Sequence, residues 1–206
     1  MKICIVGGKG NMATRYRCIL SMLGVDSVSW DIDENPDLSD VTGFIVATPT
    51  STHFDVLQKL LPMQKPILCE KPVTKSKEEL ETIGRLAALY NTPFTMVAQY
   101  CWLVDPALTG PSHYDYFKHG PDGMPWDMFQ IISLAKHEVQ VGETSPVWDC
   151  MINGQQLNLA AMDFAYIEMM RSWLQNPSSQ PWDFIETCHR KVREYAKENP
   201  DSHTGS

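Results

Sequence analysis

The sequence has no apolar run approaching the roughly 20 residues of a membrane-spanning helix, and no cluster of cysteines. Its six cysteines are scattered without a C-x-x-C pair, so we expect reduced thiols rather than a disulfide framework or a zinc site. Basic residues are few, 17 against 25 acidic, and the net charge of −8 argues against nucleic acid or anionic membranes as partners. The start MKICIVGG reaches glycine too soon for a signal peptide. These absences predict a soluble, cytoplasmic protein that binds no metal.

The first hundred residues alternate short apolar segments with helical patterns. The apolar segments predict five strands, at 2–6, 27–31, 43–48, 66–70 and 94–100. Helical spacing predicts three helices between them, at 12–23, 51–61 and 76–91. Ser51 or Thr52 is expected to cap the second helix, and Ser76 with Glu79 forms a capping box for the third. This alternation predicts an α/β domain with a parallel sheet.

The second half has a different composition. Residues 102–126 are rich in Pro, Gly, His and Tyr, which predicts a loop, and 127–137 are a short apolar segment. An Asn153-Gly154 turn favours antiparallel strands in three alternating segments, HEVQVG, PVWDCMING and QQLNL. Two further helices are expected, at 158–176 and 182–199. The chain of 206 residues thus divides into an α/β domain over 1–101 and a small α+β domain over 102–206.

A glycine-rich turn follows the first predicted strand and fits G-x-G-x-x-A as Gly8, Gly10 and Ala13. The glycines permit a tight turn and let a pyrophosphate approach the backbone. The free N–H groups at the start of the next helix, at Asn11 and Met12, would bind that anion. The motif indicates a dinucleotide-binding turn, with an unliganded α/β turn as the alternative.

Asp31 follows Gly10 by 21 residues, at the end of the second predicted strand. A dinucleotide fold places a carboxylate there to bind the ribose hydroxyls. A carboxylate pairs poorly with a 2′-phosphate and no arginine follows it closely, so NAD is favoured over NADP. Asp33 is a second candidate for the same role.

Two further segments, VATPTSTHFDVLQKLL and KPILCEKPV, complete a recognisable set. Together with the glycine turn they resemble the glucose–fructose oxidoreductase and inositol dehydrogenase family, often written Gfo/Idh/MocA. The resemblance covers about residues 2 to 100. It implies an N-terminal Rossmann dinucleotide-binding domain and a reduced α+β C-terminal domain.

The resemblance also implies site residues. Those expected near the nicotinamide ribose are Thr48, Pro49, Thr50 and His53. Those expected near the reactive face of the ring are Glu70, Lys71 and Pro72, the last often with a cis peptide, and Gln99 with Tyr100 would approach from below. A lysine cation there can orient a substrate hydroxyl or polarise a developing carbonyl. A solvent-exposed lysine at a helix start is the alternative.

The family's second domain usually supplies an acid, a histidine and a second acid, and here the resemblance fails. The best match, DGMPWDMFQIISLA, keeps the first acid as Asp127. With one deletion Gln130 takes the histidine position and Ser133 that of the second acid; without it Ile131 and Leu134 do. Glutamine cannot accept a proton near neutral pH, so it cannot be a general base.

Other groups are candidates for the missing base: Lys71, Asp127, Tyr114, Tyr116, His113 and His119. The loop residues among them can equally form a solvated turn. His137 is expected outside the site. The shortened second domain favours a homo-oligomer that pairs through an exposed sheet edge or face.

Three hypotheses follow. The first is an NAD-dependent oxidoreductase acting on a hydroxyl or carbonyl of a sugar-like small molecule, with Lys71 as the central catalytic residue and Asp127 and Gln130 positioning the substrate. The second is a dinucleotide-binding protein without hydride chemistry, acting as a sensor or assembly subunit. The third is an unrelated enzyme, such as a lyase, that keeps NAD tightly bound.

Overall fold

The computed structural model describes residues 1–31, 34, 36–114, 129–141, 149–177 and 180–198. The chain groups into two compact units, one of residues 1–97 with 167–182 and one of residues 98–166 with 183–206. Across the described ranges, no helix combines the length and the apolar character needed to cross a membrane.

A parallel sheet of five strands forms the first unit. The strands are β1 (Lys2–Val6), β2 (Asp26–Trp30), β3 (Gly43–Val46), β4 (Ile67–Cys69) and β5 (Phe94–Met96). They pair in the order β2-β1-β3-β4-β5, and every pairing is parallel. The side chains of β3, β4 and β5 are buried along their whole length, as expected for strands covered on both faces. The predicted α/β class with a parallel sheet is confirmed.

Three helices of this unit connect the strands: α1 (Asn11–Met22), α2 (Thr50–Leu60) and α3 (Lys77–Leu89). The capping box predicted for α3 is present, with the Ser76 side chain accepting the Glu79 N–H and the Glu79 side chain reaching back. The cap predicted for α2 at Ser51 or Thr52 is wrong. Pro49 holds the N-cap position in an extended conformation, and the Thr52 hydroxyl donates to the Pro49 carbonyl at 2.8 Å instead.

The strand order creates a switch point between β1 and β3. From β1 the chain crosses through α1 to β2 on one side, and from β3 it crosses through α2 to β4 on the other. Right-handed crossovers in opposite directions place α1 and α2 on opposite faces of the sheet. A crevice therefore opens between the carboxyl ends of β1 and β3, where open α/β sheets bind ligands.

The fifth strand is shorter than predicted. β5 ends at Met96, and Gln99 and Tyr100 lie in a 3-10 turn over residues 99–102, not in a strand. Among the residues that the structure describes, β5 lies at the edge of the sheet and pairs with β4 alone, over three residues of each strand.

The described part of the second unit has a mixed sheet with the strand order β7-β6-β8-β9. The remaining elements in chain order are β6 (Ser112–Tyr114), α4 (Phe129–Leu134), β7 (Val139–Val141), β8 (Cys150–Ile152), β9 (Gln155–Gln156), α5 (Met162–Gln175) and α6 (Trp182–Glu198). Asn153 and Gly154, at φ of 53° and 83°, form the predicted turn between the antiparallel β8 and β9.

One prediction for this sheet is wrong. Ser112 to Tyr114 fall in the predicted loop but form β6, whose Ser112 and Tyr114 side chains are buried. β8 pairs antiparallel with β9, as the turn predicts, while β7 pairs parallel with β6, the strand that the sequence did not reveal. A strand of three residues carries too little alternation to distinguish it from a turn.

Candidate active site

Within the described part of the chain, no side chain caps the start of α1, which follows the turn after β1. Gly10 is the N-cap of α1 and supplies no side chain to bond the first N–H groups, which belong to Asn11 and Met12. Those N–H groups have no acceptor within the helix, because the first turn of any α-helix lacks one. They are therefore available to an anion at this end of the sheet.

The turn packs tightly against the segment after β3. Gly7 has a φ of 86°, and a Cβ at Gly7 would lie 2.9 Å from the Thr48 backbone nitrogen and 2.9 Å from its Cγ2. Only glycine fits that conformation and that approach. The glycine turn and Thr48 thus meet at the switch point.

The turn also lies against the end of β2. A Cβ at Gly8 would come within 2.5 Å of the Ser29 Cβ and 3.4 Å of Asp31 Oδ2. The Arg17 guanidinium donates to the Gly8 carbonyl at 2.6 Å and lies 3.4 Å from Ser29 Oγ. The predicted ribose ligand Asp31 is therefore beside the turn, as the motif requires.

Two buried acceptors around this turn are unsatisfied. Among the residues that the structure describes, Asp31 Oδ2 and Thr48 Oγ1 have no hydrogen-bond partner. A buried oxygen without a partner is unfavourable unless a ligand or water completes it. Their places, on the two sides of the glycine turn, fit a ligand rich in hydroxyl groups such as a dinucleotide ribose.

His53 joins the segment after β3 to the segment after β4. Its ring is 1 % exposed, with Nε2 2.8 Å from the Thr48 carbonyl oxygen and Nδ1 3.0 Å from that of Pro72. A neutral imidazole has one N–H and donates to only one of these oxygens. Burial lowers the pKa of His53 and is the largest effect. Hydrogen bonds to the two carbonyls raise the pKa but do not offset the burial.

Glu70 is bonded within the protein. Its Oε1 accepts the Tyr16 hydroxyl at 2.5 Å and its Oε2 accepts the Lys71 backbone N–H at 3.1 Å. The Tyr16 side chain is fully buried on α1, and Glu70 is 9 % exposed. The Lys71-Pro72 peptide is cis, and the Lys71 side chain is half-buried. The carboxylate thus fixes the backbone from which the Lys71 side chain extends.

Three residues singled out in the sequence, Gln130, Gln99 and Ser133, lie in the second unit. Gln130 is buried on α4, and its Oε1 accepts the Tyr100 backbone N–H at 2.9 Å. Gln99 is 4 % exposed, and its Oε1 has no partner within the described ranges. Ser133 donates its hydroxyl to the Phe129 carbonyl.

His113, a candidate base, is held by an acidic neighbour. Its Nε2 lies 3.2 Å from Asp149 Oδ2. Hydrogen bonds from the Gln156 amide, the larger effect, and from His113 hold the pKa of Asp149 below its usual range. Tyr114, another candidate, is buried in β6. Four other candidates lie outside the described residues: Asp33, Tyr116, His119 and Asp127.

Sequence reasoning missed the contacts of Tyr16 and Arg17. The helical spacing of Ala13 and Tyr16 indicates a buried face, and that signal was available. The partner of the Tyr16 hydroxyl lies 54 residues away, and no local pattern reveals it.

Comparison with known proteins gives a family match in the first unit. Residues 13–97 match the GFO_IDH_MocA model, described as the oxidoreductase family with an NAD-binding Rossmann fold. An inositol 2-dehydrogenase of Arthrobacter sp. (strain FB24) is 46 % identical over 48 residues, 23 % of this chain and 14 % of that protein. One of Mycolicibacterium gilvum (strain PYR-GCK) is 34 % identical over 77 residues, 37 % of this chain and 22 % of that protein. The matched segments thus span less than a quarter of either relative.

Solved structures resemble the chain over most of its length. A dehydrogenase (MviM) from Clostridium difficile has a TM-score of 0.74 at 9 % identity, covering 96 % of this chain and 99 % of that one. The WlbA dehydrogenase from Thermus thermophilus, solved with NAD and UDP-GlcNAcA, has a TM-score of 0.68 at 13 % identity, covering 93 % of each chain. At such identities the likeness establishes the fold alone.

Proposed function

We propose that the chain, whose residues 13–97 match the model of the Gfo/Idh/MocA oxidoreductase family, is an NAD-dependent oxidoreductase acting on a sugar-like small molecule. The reaction would transfer hydride between the nicotinamide and a hydroxyl or carbonyl of the substrate. The observation that carries the proposal is the pair of unsatisfied acceptors, Asp31 Oδ2 and Thr48 Oγ1, on the two sides of the glycine turn at the switch point.

The cofactor-binding residues divide by the part of the dinucleotide they would hold. Gly8 and Gly10, with the N–H groups of Asn11 and Met12, would bind the pyrophosphate, and Asp31 would accept hydrogen bonds from the adenosine ribose. The remaining residues would surround the nicotinamide and its ribose: Thr48, Pro49, Thr50, His53, Glu70, Lys71, Pro72 and Gln99. The bound cofactor supplies the hydride acceptor or donor.

Lys71 is the proposed catalytic residue. In the reducing direction its ammonium donates a hydrogen bond to the substrate carbonyl oxygen and then transfers a proton to that oxygen as a C–H bond forms at carbon. In the oxidising direction the same step would run in reverse. Lys71 thus needs no histidine beside it, with Asp127 and Gln130 positioning the substrate.

Three further proposals accompany this function. Residues 1–101 would hold the cofactor and 102–206 the substrate. The name of two relatives, inositol 2-dehydrogenase, supports a sugar-like substrate and makes cyclitols and sugars the first compounds to try. We also propose that the protein is cytoplasmic, associates as a homo-oligomer, and has neither nucleic acid nor membrane as a partner.

The test is turnover in a screen of inositol, sugars and keto compounds with NAD and NADH. Lys71→Ala should lower kcat by about 10²- to 10⁴-fold, the usual contribution of one acid–base group. Its Kd for NADH should stay within a factor of about three, because a variant defective only in chemistry still binds. Lys77→Ala is the matched control, since Lys77 is 71 % exposed on α3 and pairs with Glu81. Full turnover by Lys71→Ala would contradict the catalytic role.

A second candidate function has its own observation. Gln130 takes the position of the usual histidine when the motif is matched with one deletion, and its Oε1 accepts the Tyr100 backbone N–H. That supports a structural role for Gln130 in a dinucleotide-binding protein without hydride chemistry, a sensor or assembly subunit. Tight NADH binding with no turnover on any compound of the screen would favour this function over the first.

A further inference from the structure

We propose that Glu34 is a specificity-determining residue that occupies the place of a 2′-phosphate and so excludes NADP. The inference rests on the proposed dinucleotide binding and adds to it a residue that the glycine motif does not identify. Two contacts of the Glu34 carboxylate carry it. Oε2 accepts the Asp31 backbone N–H at 3.0 Å, and Oε1 lies 3.5 Å from Lys9 Nζ.

These contacts join the two edges of the proposed adenosine site. Lys9 lies between Gly8 and Gly10 in the turn after β1, and Asp31 follows the last residue of β2. Gly8 and Asp31 already lie close, since a Cβ at Gly8 would be 3.4 Å from Asp31 Oδ2. The Glu34 carboxylate is therefore beside the carboxylate that would bind the ribose hydroxyls.

The groups that Glu34 engages are those that a phosphate monoester requires. A 2′-phosphate carries nearly two negative charges and binds well to a backbone N–H and a lysine ammonium. With Glu34 in place, both donors are satisfied and a second negative charge stands beside Asp31. A ribose with a free 2′-hydroxyl needs only an acceptor, which Asp31 supplies. Glu34 thus penalises NADP by charge repulsion and by occupying its donors.

Glu34 also closes a local turn, because its backbone N–H donates to the Asp31 carbonyl at 2.9 Å. A purely structural Glu34 would affect stability but not the choice between the two cofactors. The ratio of the NADPH and NADH dissociation constants therefore separates the two roles.

The experiment measures that ratio by nicotinamide fluorescence in wild type, Glu34→Ala and Glu34→Gln. We expect Glu34→Ala to bind NADPH at least about tenfold more tightly than wild type, with NADH changed by less than about threefold, because a repulsive charge leaves and two donors become free. Glu34→Gln keeps an acceptor for the Asp31 N–H and removes only the charge, so its gain should be smaller. The gain should shrink as ionic strength rises.

Two further variants sharpen the result. Adding Lys9→Ala to Glu34→Ala should remove most of the gain, because the freed ammonium is one of the two donors. Glu81→Ala is the matched control, since Glu81 forms a similar ion pair with Lys77 at 3.4 Å on α3 and should leave the ratio unchanged.

The outcomes are distinguishable. An unchanged ratio in both Glu34 variants, with NADH still bound, would overturn the role of Glu34 and leave the proposed function standing. A gain that survives the loss of Lys9 would contradict the donor argument. If wild type bound neither nucleotide, the proposed function would fall and this inference with it.

Discussion

Glu70 shows how single residues prepare the proposed site. Its two carboxylate oxygens accept the hydroxyl of Tyr16 and the backbone N–H of Lys71, so a buried residue of α1 reaches the proposed catalytic lysine through one carboxylate. A hydrogen bond to a charged group contributes more than a neutral one, and its loss leaves a buried charge with fewer donors.

Tyr16→Phe should therefore destabilise the fold. Removing the hydroxyl leaves Glu70 Oε1 without its donor, at a cost of about 1.5–3 kcal/mol in the free energy of unfolding. Urea denaturation followed by circular dichroism measures it. Tyr90→Phe is the control, because Tyr90 is half-buried at the end of α3 and should lose less than about 0.5 kcal/mol. Equal losses in both variants would show that the Tyr16 hydroxyl contributes nothing.

The residues of the proposed site are easier to predict from the sequence than the side-chain contacts that hold them in place. Motif spacing is sufficient to place Asp31 and Gly8 together, because a strand, a tight turn and a helix leave little freedom within about 25 residues. The contacts of Tyr16 with Glu70 and of Lys9 with Glu34 depend on how separate segments meet. Such contacts need the three-dimensional fold.

At the scale of elements, the glycine turn provides the clearest test. Gly7→Ala forces a Cβ into a φ of 86° and to within 2.9 Å of the Thr48 backbone nitrogen. Gly24→Ala meets a similar φ of 69° with nothing within 4 Å. Both variants should lose about 1–2 kcal/mol of stability, because the left-handed conformation is unfavourable for alanine. Only Gly7→Ala should lose more than that, and only Gly7→Ala should weaken NADH binding.

Thermal unfolding and NADH titration of the two variants make this comparison. Equal destabilisation would mean that the contact between the turn and Thr48 is not tight. Normal NADH binding by a folded Gly7→Ala would mean that the turn is not the cofactor site.

The helix caps give a second prediction for elements. Ser76→Ala removes the side chain that accepts the Glu79 N–H and should cost about 1 kcal/mol of stability. Ser51→Ala should cost almost nothing, because α2 begins without a side-chain cap and Ser51 is exposed. Chemical denaturation of both variants measures the difference. A larger loss at Ser51 would reverse the assignment of the caps.

The elements of the first unit were predictable because helical and strand periods alternate over enough residues. β2 is displaced by only one residue from its predicted range of 27–31. The second unit was less predictable, because β6, β7 and β8 have three residues each and their pairing is set by distant partners. Short strands carry little periodicity, so tertiary contacts decide them.

For the whole molecule, stability should fall as pH falls below neutrality. The side chain of His189 is fully buried. This burial, and to a smaller extent the charge of Arg193, lowers the pKa of His189 to about 3. Between about pH 6.5 and 3 the unfolded chain therefore binds a proton that the folded chain does not. Stability is fully present above the unfolded pKa and is lost as pH falls, by about 2 kcal/mol from this group at pH 5.

His189→Leu should reduce that loss, whatever its effect at neutral pH, because the readout is the slope of stability against pH. His137→Gln is the control, because it removes an exposed histidine in place of the buried one. Urea denaturation at pH 7, 6 and 5 measures both slopes. An unchanged slope in His189→Leu would show that His189 does not resist protonation in the fold.

Titration with NADH and NADPH tests whether the switch point between β1 and β3 holds a dinucleotide, as proposed. Nicotinamide fluorescence should show saturable NADH binding to wild type, tighter than that of NADPH. Asp31→Ala should weaken NADH binding by about ten- to a hundredfold, the loss expected for a hydrogen bond to a charged group. Absence of NADH binding to folded wild type, or unchanged binding by Asp31→Ala, would rule out a dinucleotide site at this place.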